Sequence, residues 1–246
     1  MTLTILGSSS AGNCYLFDDG NDILMLECGI PFRKVQQSVD FNIGRIVACL
    51  VSHEHGDHAK AAKDVLKARI PIYASQGTID ALGLISQDII YSVKEMEAVK
   101  LERFTVFPFS VQHDAAQPFG YLIQHPDMGL TVFATDTYYL KYKFAGLNNI
   151  MIECNYRKDI LDDNVAKGLI PSVVRDRTLT SHLEFETCKE ILLANDLTAV
   201  NNIILMHLSG NNSDARAFQA DMQQAVAHNV MVARKGMVIN FDKTPF

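Results

Sequence analysis

The sequence has no apolar run approaching the roughly 18 residues that a membrane-spanning helix needs. No membrane association is expected. The opening residues, Met1-Thr2-Leu3-Thr4-Ile5-Leu6-Gly7, carry neither a basic stretch nor a cleavage site, so no secretory signal is read there. Cysteine is sparse and unpatterned. Cys14, Cys28, Cys49, Cys154 and Cys188 include no CxxC pair, and an odd, scattered set reads as free thiols of a reducing cytoplasm. An excess of positive charge is missing as well. The 22 Lys and Arg stand against 28 Asp and Glu, a formal charge of −6 with histidine neutral. Proteins that coat nucleic acid non-specifically usually show the opposite sign. Low-complexity tracts, charge blocks and Pro/Gly/Ser linkers are absent too, and a single domain over residues 1–246 is the simplest organisation.

What is there is ordinary globular material. Hydrophobic residues make up 48% of the 246, enough for a sizeable core. Short strands are read at Leu3–Leu6, Cys14–Phe17 and Ile23–Leu26, separated by turn residues. Ile46–Val51 is nearly all apolar, the pattern of a strand buried on both faces. Further strands are expected at Phe104–Val111, Tyr121–Gln124, Leu130–Ala134, Ile150–Glu153, Ile203–Met206 and Val238–Phe241. Helices are expected at Phe32–Val39, Ala59–Ala68, Ile79–Leu84, Leu183–Asn195 and Asp214–Ala227. Strands in both halves, each followed by helices, predict an α/β sandwich with helices outside two sheets.

One segment carries chemistry. The strand at Ile46–Val51 runs into Ser52-His53-Glu54-His55-Gly56-Asp57-His58, with three histidines and an aspartate inside six positions. Imidazole nitrogen and carboxylate oxygen are the donors that borderline divalent ions prefer. His53 and His55 are two apart, so in extended chain both point the same way. Asp57 and His58 are adjacent and can turn toward a second centre, with Gly56 read as the hinge between the two pairs. The spacing suits two neighbouring metals. The other ligands should come from further strand ends: His113 after Phe104–Val111, Asp136 after Leu130–Ala134, and His207 after Ile203–Met206.

These residues resemble the metallo-β-lactamase superfamily, whose H-x-H-x-D-H signature His53–His58 fits without a gap. The resemblance implies a four-layer αβ/βα sandwich with metals at one sheet edge. It implies that His53, His55 and His113 bind one ion, that Asp57, His58 and His207 bind the other, and that Asp136 bridges them. Within the superfamily the chain is most similar to the subgroup called WalJ or YycJ. Ser8-Ser9-Ser10-Ala11-Gly12-Asn13-Cys14-Tyr15-Leu16, Glu153-Cys154-Asn155-Tyr156 and His207-Leu208-Ser209-Gly210-Asn211-Asn212 carry that likeness. It departs at Glu27-Cys28-Gly29, where the subgroup has D-x-G, and at Ser181-His182-Leu183-Glu184-Phe185, where it has G-H-L-S-N. The subgroup implies a DNA-directed phosphodiesterase, including 5′-to-3′ exonuclease activity, with two divalent ions as cofactors. Zn²⁺, Mn²⁺ and Fe²⁺ all suit the donor set.

Two ions close together lower the pKa of a shared water toward neutrality and so supply a nucleophile for phosphoryl transfer. Asp57 and Asp136 would orient it, and His182 is either the acid for the leaving alkoxide or a mere helix cap. Ser8–Gly12 is either a phosphate cradle or, more simply, a turn. Asn155 either reaches the site or ends a strand, and Asn211 and Asn212 read as caps for the helix at Asp214. His125 and His228 are expected at the surface. Tyr138, Tyr139 and Tyr142 are core residues or stack on bases, and Arg157, Lys158, Arg175 and Arg177 are a solvated surface or a basic track. The competing functions keep the metals and change the substrate, to small phosphodiesters or thioesters, since fold does not fix function. A diiron redox role would need glutamate where His55 stands. A non-catalytic module would lack ligands, and all seven are present.

Overall fold

The computed structural model describes residues 1–84 and 88–244. In chain order the strands are β1 Thr2–Gly7, β2 Cys14–Asp18, β3 Ile23–Leu26, β4 Ile46–Leu50, β5 Ile72–Ala74, β6 Ile90–Ser92 and β7 Val99–Leu101. They continue with β8 Phe104–Ser110, β9 Phe119–His125, β10 Gly129–Ala134, β11 Asn149–Glu153, β12 Asn202–Met206, β13 Val230–Val232 and β14 Val238–Asn240. The α-helices are α1 Phe32–Ser38, α2 Gly56–Ala59, α3 Ala62–Lys67, α4 Gln76–Ala81, α5 Lys158–Ala166, α6 Ser172–Ser181, α7 Phe185–Leu193 and α8 Ala215–Val226.

The strands make two sheets, ordered β14-β1-β2-β3-β4-β5-β6 and β13-β12-β11-β10-β9-β8-β7. Each is mixed. The runs β3 to β6 and β10 to β13 are parallel, and the remaining pairs are antiparallel. The burial pattern explains the layering. In β1 Leu3 and Ile5 point inward while Thr2 is exposed, one side-chain alternation per residue. In β11 every residue is buried, as a parallel strand covered on both faces requires. Tyr15 and Phe17 of the first sheet meet Phe119, Tyr121 and Phe133 of the second in the central core. Tyr15 and Phe133 pack edge to face across the sheets at 5.5 Å between centroids. Val35, Val65 and Ile79 pack on the outer face of the first sheet, and Phe185, Ile191, Phe218 and Met222 on that of the second. The result is the four-layer sandwich of the metallo-β-lactamase fold.

Several local expectations change. The helix expected at Ala59–Ala68 is two short helices, because the Ala61 N–H leaves the helical path to donate to the Cys28 carbonyl at 2.9 Å. The pattern at Val238–Phe241 ends a residue early, at Asn240. Helices α5 and α6 had no reading in the sequence. Each buries a single side chain, Leu161 or Ser181, so neither shows an apolar stripe.

Parallel strands gather their carboxyl ends on one rim, where open α/β sheets place ligands. Here β4, β10, β11 and β12 deliver Ser52–His53, Asp136, Glu153 and His207 to that rim. Three residues ending strands there, Glu27, Asp136 and His207, have φ of 62°, 41° and 53°. Left-handed backbone at non-glycine residues costs about 1–3 kcal/mol each and persists where the surroundings over-determine it.

Candidate metal centre

The structure brings all seven expected ligand residues to one place, and they fall into two clusters. His53, His55 and His113 form the first; Asp57, His58, Asp136 and His207 form the second. Within each, the candidate donor atoms lie within 4.8 Å of one another. In the first, His113 Nε2 is 3.2 Å from His55 Nδ1. In the second, Asp57 Oδ2 lies 3.2 Å from His207 Nε2 and 3.4 Å from His58 Nε2.

Asp136 stands between the clusters and turns one oxygen to each. Its Oδ1 is 3.3 Å from both His58 Nε2 and His207 Nδ1. Its Oδ2 is 3.6 Å from His113 Nε2 and 4.0 Å from His53 Nε2. That is the disposition of a bridging carboxylate.

Three of the imidazoles, those of His53, His58 and His113, meet a partner on their far side, as metal-binding histidines generally do, and His207 is fixed through its backbone. His53 Nδ1 meets Ser52 Oγ at 2.9 Å. His113 Nδ1–H donates to the Ser181 carbonyl at 2.6 Å. His58 Nδ1 faces Glu27 Oε2 at 3.4 Å, and Glu27 also accepts from the Ser52 N–H. The His207 N–H donates to Ser8 Oγ, and its carbonyl accepts from Asn155 Nδ2 at 2.8 Å. Thus Asn155 fixes His207. Ser8 of the serine-rich turn does the same, while Ser10 lines the cavity.

Electrostatics sort the histidines. Burial drives His53 well below its usual range and His58 beside it adds to the effect, so the ring is neutral. Its Nε2 is buried with no hydrogen-bond partner among the described residues. A buried orphan lone pair aimed at two other imidazoles fits a divalent ion, and so does the all-nitrogen-and-oxygen donor set. At His207 burial works downward, but Asp136, Asp57 and Glu153 outweigh it and carry the imidazole up to about 10. Burial would raise the Asp136 carboxyl; His207 and His58 hold it well below the usual carboxylate range. Asp57 and Asp136 within the second cluster, with Glu27 and Glu153 against it, make it a place built to hold positive charge.

His182 lies at the same rim, where it ends α6 and does not cap α7. Helix α7 is capped by Glu184, whose carboxylate accepts from the Glu186 and Thr187 N–H groups. His182 Nδ1 instead meets Glu153 Oε1 at 2.7 Å. Burial lowers its pKa, Glu153 raises it, and the net is upward. Together with Ser10, His55, Asp57, His113, Asp136, Arg177 and His207 it lines a cavity of ≈ 170 Å³.

Other expectations are corrected. His125 is buried at 1% exposure, packed on Phe104 and bonded to Asp19. Asn212 does not cap α8, which Asp214 caps; its carbonyl accepts from the Arg157 N–H. The basic track dissolves: Arg157 is tied to Asp159 and Arg175 to Asp162, and only Arg177 of the four lines the cavity. Gly56 is the first residue of α2, with no positive φ and open space where a Cβ would go, so it is no hinge. Glu27 and Glu153 were not read as site residues. Both end apolar runs, the signal that picked out Asp136 and His207.

The comparisons agree with this geometry. The family described as Beta-lactamase superfamily domain matches residues 15–208. Exodeoxyribonuclease YycJ of Bacillus anthracis is 26% identical over 228 residues, covering 85% of this chain and 83% of that protein. Exodeoxyribonuclease WalJ of Streptococcus pneumoniae is 26% identical over 227 residues, covering 85% and 82%. Among solved structures, the metallo-β-lactamase fold protein YhfI of Bacillus subtilis superposes with a TM-score of 0.76 at 17% identity, covering 97% of this chain and 98% of that one. The chain belongs to the beta-lactamase superfamily and is a metal-dependent hydrolase of the metallo-β-lactamase fold, similar to the WalJ and YycJ subgroup.

Proposed function

We propose that this chain, acting as one unit over residues 1–246, is a two-metal phosphodiesterase that digests DNA from the 5′ end. The observation that carries the reading is Asp136, whose two oxygens face separate clusters. The exodeoxyribonuclease names of its relatives support the substrate class. His53, His55 and His113 would hold one ion, and Asp57, His58 and His207 the other, with Zn²⁺ or Mn²⁺, and then Fe²⁺, as the fitting metals. Five buried free thiols suit a cytoplasmic setting.

When bound, a pair of divalent ions activates water near neutral pH and polarises a phosphoryl oxygen. The chain does the rest. Asp57 and Asp136 orient the attacking water and balance charge. The water oxygen, its proton given up to solvent, bonds to phosphorus, and the bond from phosphorus to the leaving oxygen breaks. Glu153 fixes the His182 ring through Nδ1–H, which leaves the Nε2 proton for the departing alkoxide. Arg177, exposed and held at Nε by Asp114 at 2.8 Å, keeps its terminal N–H groups for a phosphate oxygen.

A second reading has its own observation. A cavity of ≈ 170 Å³ is small, which suits the head group of a small phosphodiester or a thioester. Metal-loaded protein with end-labelled single- and double-stranded DNA, with and without a 5′-phosphate, separates the two. Stepwise loss from the 5′ end, absent in His58→Ala, is expected. Protein that holds two ions, leaves DNA intact and hydrolyses small esters overturns the exonuclease reading in favour of the second.

A further inference from the structure

Beside the metal centre the chain carries another cavity, ≈ 200 Å³, between the loop after Asp136 and helix α7. Its lining includes Tyr139, Leu140, Tyr142, Lys143, Ile191 and Ala194. Leu140 and Ile191 give it an apolar floor at 6% and 8% exposure. Tyr142 is fixed: its ring packs on Phe109 and Phe144, and its hydroxyl bonds Glu95. Tyr139, by contrast, is 52% exposed at the rim, and Tyr138 next to it is 41% exposed. Two successive exposed tyrosines on a pinned loop lack an explanation in the packing.

The loop is pinned to the site itself. Glu153, which holds His182 and His207, also accepts from the Thr137 N–H at 2.8 Å. Thr137 Oγ1 then donates to the Tyr139 carbonyl at 2.7 Å, and the Tyr138 N–H donates to the Gln112 carbonyl beside His113. The opposite wall is equally tied. The Leu183 N–H donates to Glu153, and α7 starts two residues later. At 1.5 Å per helical residue, Ile191 lies about 9 Å along α7 from Phe185, a span that a short oligonucleotide strand reaches.

Charge completes the picture. Lys143 is exposed and has no ion-pair partner among the described residues. Lys141 sits over the Tyr142 ring, 4.9 Å from its centroid. Aromatic faces with interleaved lysines, in a slot the size of one flat heterocycle, are how single strands are held without regard to sequence. Resting on the DNA-directed reading above, we propose that this cavity is a nucleobase subsite. It seats one base of a single-stranded substrate against Tyr139, with Lys141 and Lys143 beside the adjoining phosphates. The subsite sets how a strand is gripped while the metal centre cuts it.

An abasic scan tests this. Short single-stranded oligonucleotides carry one abasic nucleotide at each successive position. Binding to chelator-treated protein is read by fluorescence anisotropy, and KM and kcat are read with metal-loaded protein. Removing the base at one position should weaken wild-type binding and raise KM about tenfold, the scale of one base stacked on an aromatic ring. Tyr139→Ala should weaken binding to the intact strand by the same factor, with no further loss from the abasic site. Tyr139→Phe should restore it. Hydrolysis of bis(p-nitrophenyl) phosphate, which has no strand to grip, should be the same in all three proteins. A wild-type scan that is flat in protein that cuts DNA overturns the subsite and leaves the exonuclease reading standing. Equal loss toward the small ester in Tyr139→Ala also overturns it, since the residue is then structural. Wild-type protein that hydrolyses the small ester and neither binds nor cuts DNA overturns the exonuclease reading and the subsite together.

Discussion

Replacing Gly29 by alanine strikes the second cluster from behind. A Cβ on Gly29 would lie 1.6 Å from the Asp57 carbonyl oxygen and 2.9 Å from the Asn13 nitrogen. The approach is close because three backbone hydrogen bonds draw these segments together. Gly29 N–H donates to Asn13 at 2.9 Å, Asn13 N–H donates to Asp57 at 2.8 Å, and Cys28 N–H donates to His58 at 2.7 Å. Real Cβ contacts stay beyond 3.0 Å, so the Asp57 carbonyl must retreat by about 1.4 Å, carrying its side chain with it. Metal sites tolerate displacements of about 0.2 Å. Overpacking costs about 1–3 kcal/mol, and the lost Asn13–Asp57 bond about 1 kcal/mol more. At about 2–4 °C per kcal/mol for a chain of this length, Tm should fall by about 5–15 °C. Differential scanning calorimetry reads that shift, and elemental analysis should find one bound ion per chain in place of two. Gly56→Ala is the control. No described residue lies within 4 Å of that Cβ, so metal content should hold, and Tm should stay level or rise by about 1–3 °C as a helical glycine is removed. A Gly29→Ala protein with wild-type Tm and two ions would refute the reasoning.

Further outcomes follow from single contacts. His182→Ala should keep both ions and lose about 10²–10⁴-fold in kcat toward DNA; full activity with full metal content removes the acid role. Glu153→Gln, which loosens His182 and His207 at once, should cost about 10–100-fold in activity or metal affinity, read by turnover and competitive chelation. Burial raises the Asp19 carboxyl, but the Asp22 and Asn21 N–H groups, His125 and Arg103 bring it to about 2. Because this lies below its unfolded value of about 3.9, its stabilisation is complete above about pH 4 and is lost as pH falls toward 2. Asp19→Asn should therefore flatten the acid limb of Tm against pH between those values, and an unchanged limb contradicts the assignment. Zn²⁺ at about a hundred times its Kd should raise the Tm of chelator-treated protein by about 5–10 °C per site, from a linkage of about 2.7 kcal/mol.

Much of the site was legible because it obeys one simple pattern. An apolar strand ends, and a histidine or an acid stands within the next two residues. That pattern marks His53, Asp136 and His207, and the hexapeptide His53–His58 needs no structure to suggest metal chemistry. The same pattern marks Glu27, which follows β3, and Glu153, which closes β11. What sequence could not show is direction. Nothing in Ala134-Thr135-Asp136 reveals that a left-handed φ of 41° turns the carboxylate so that its oxygens face two different clusters. Nor does His125 advertise burial: its polar neighbours Gln124 and Asp127 mask a ring packed on Phe104. Helices α5 and α6 stayed hidden because they lie on the surface with almost no apolar face, and β5 and β13 because three residues carry no periodicity. Nothing in the sequence marks Gly29 beyond the departing motif, since a close backbone approach leaves no trace in composition.

The most direct test is a crystal grown with Mn²⁺ and an anomalous difference map at the rim. Two peaks are expected, one bounded by His53 Nε2, His55 Nδ1 and His113 Nε2, the other by Asp57, His58 and His207, with Asp136 between them. A single peak, or ions bound instead at Asp19, His125 and Asp127 on the far end of the sheets, would contradict the two-metal centre.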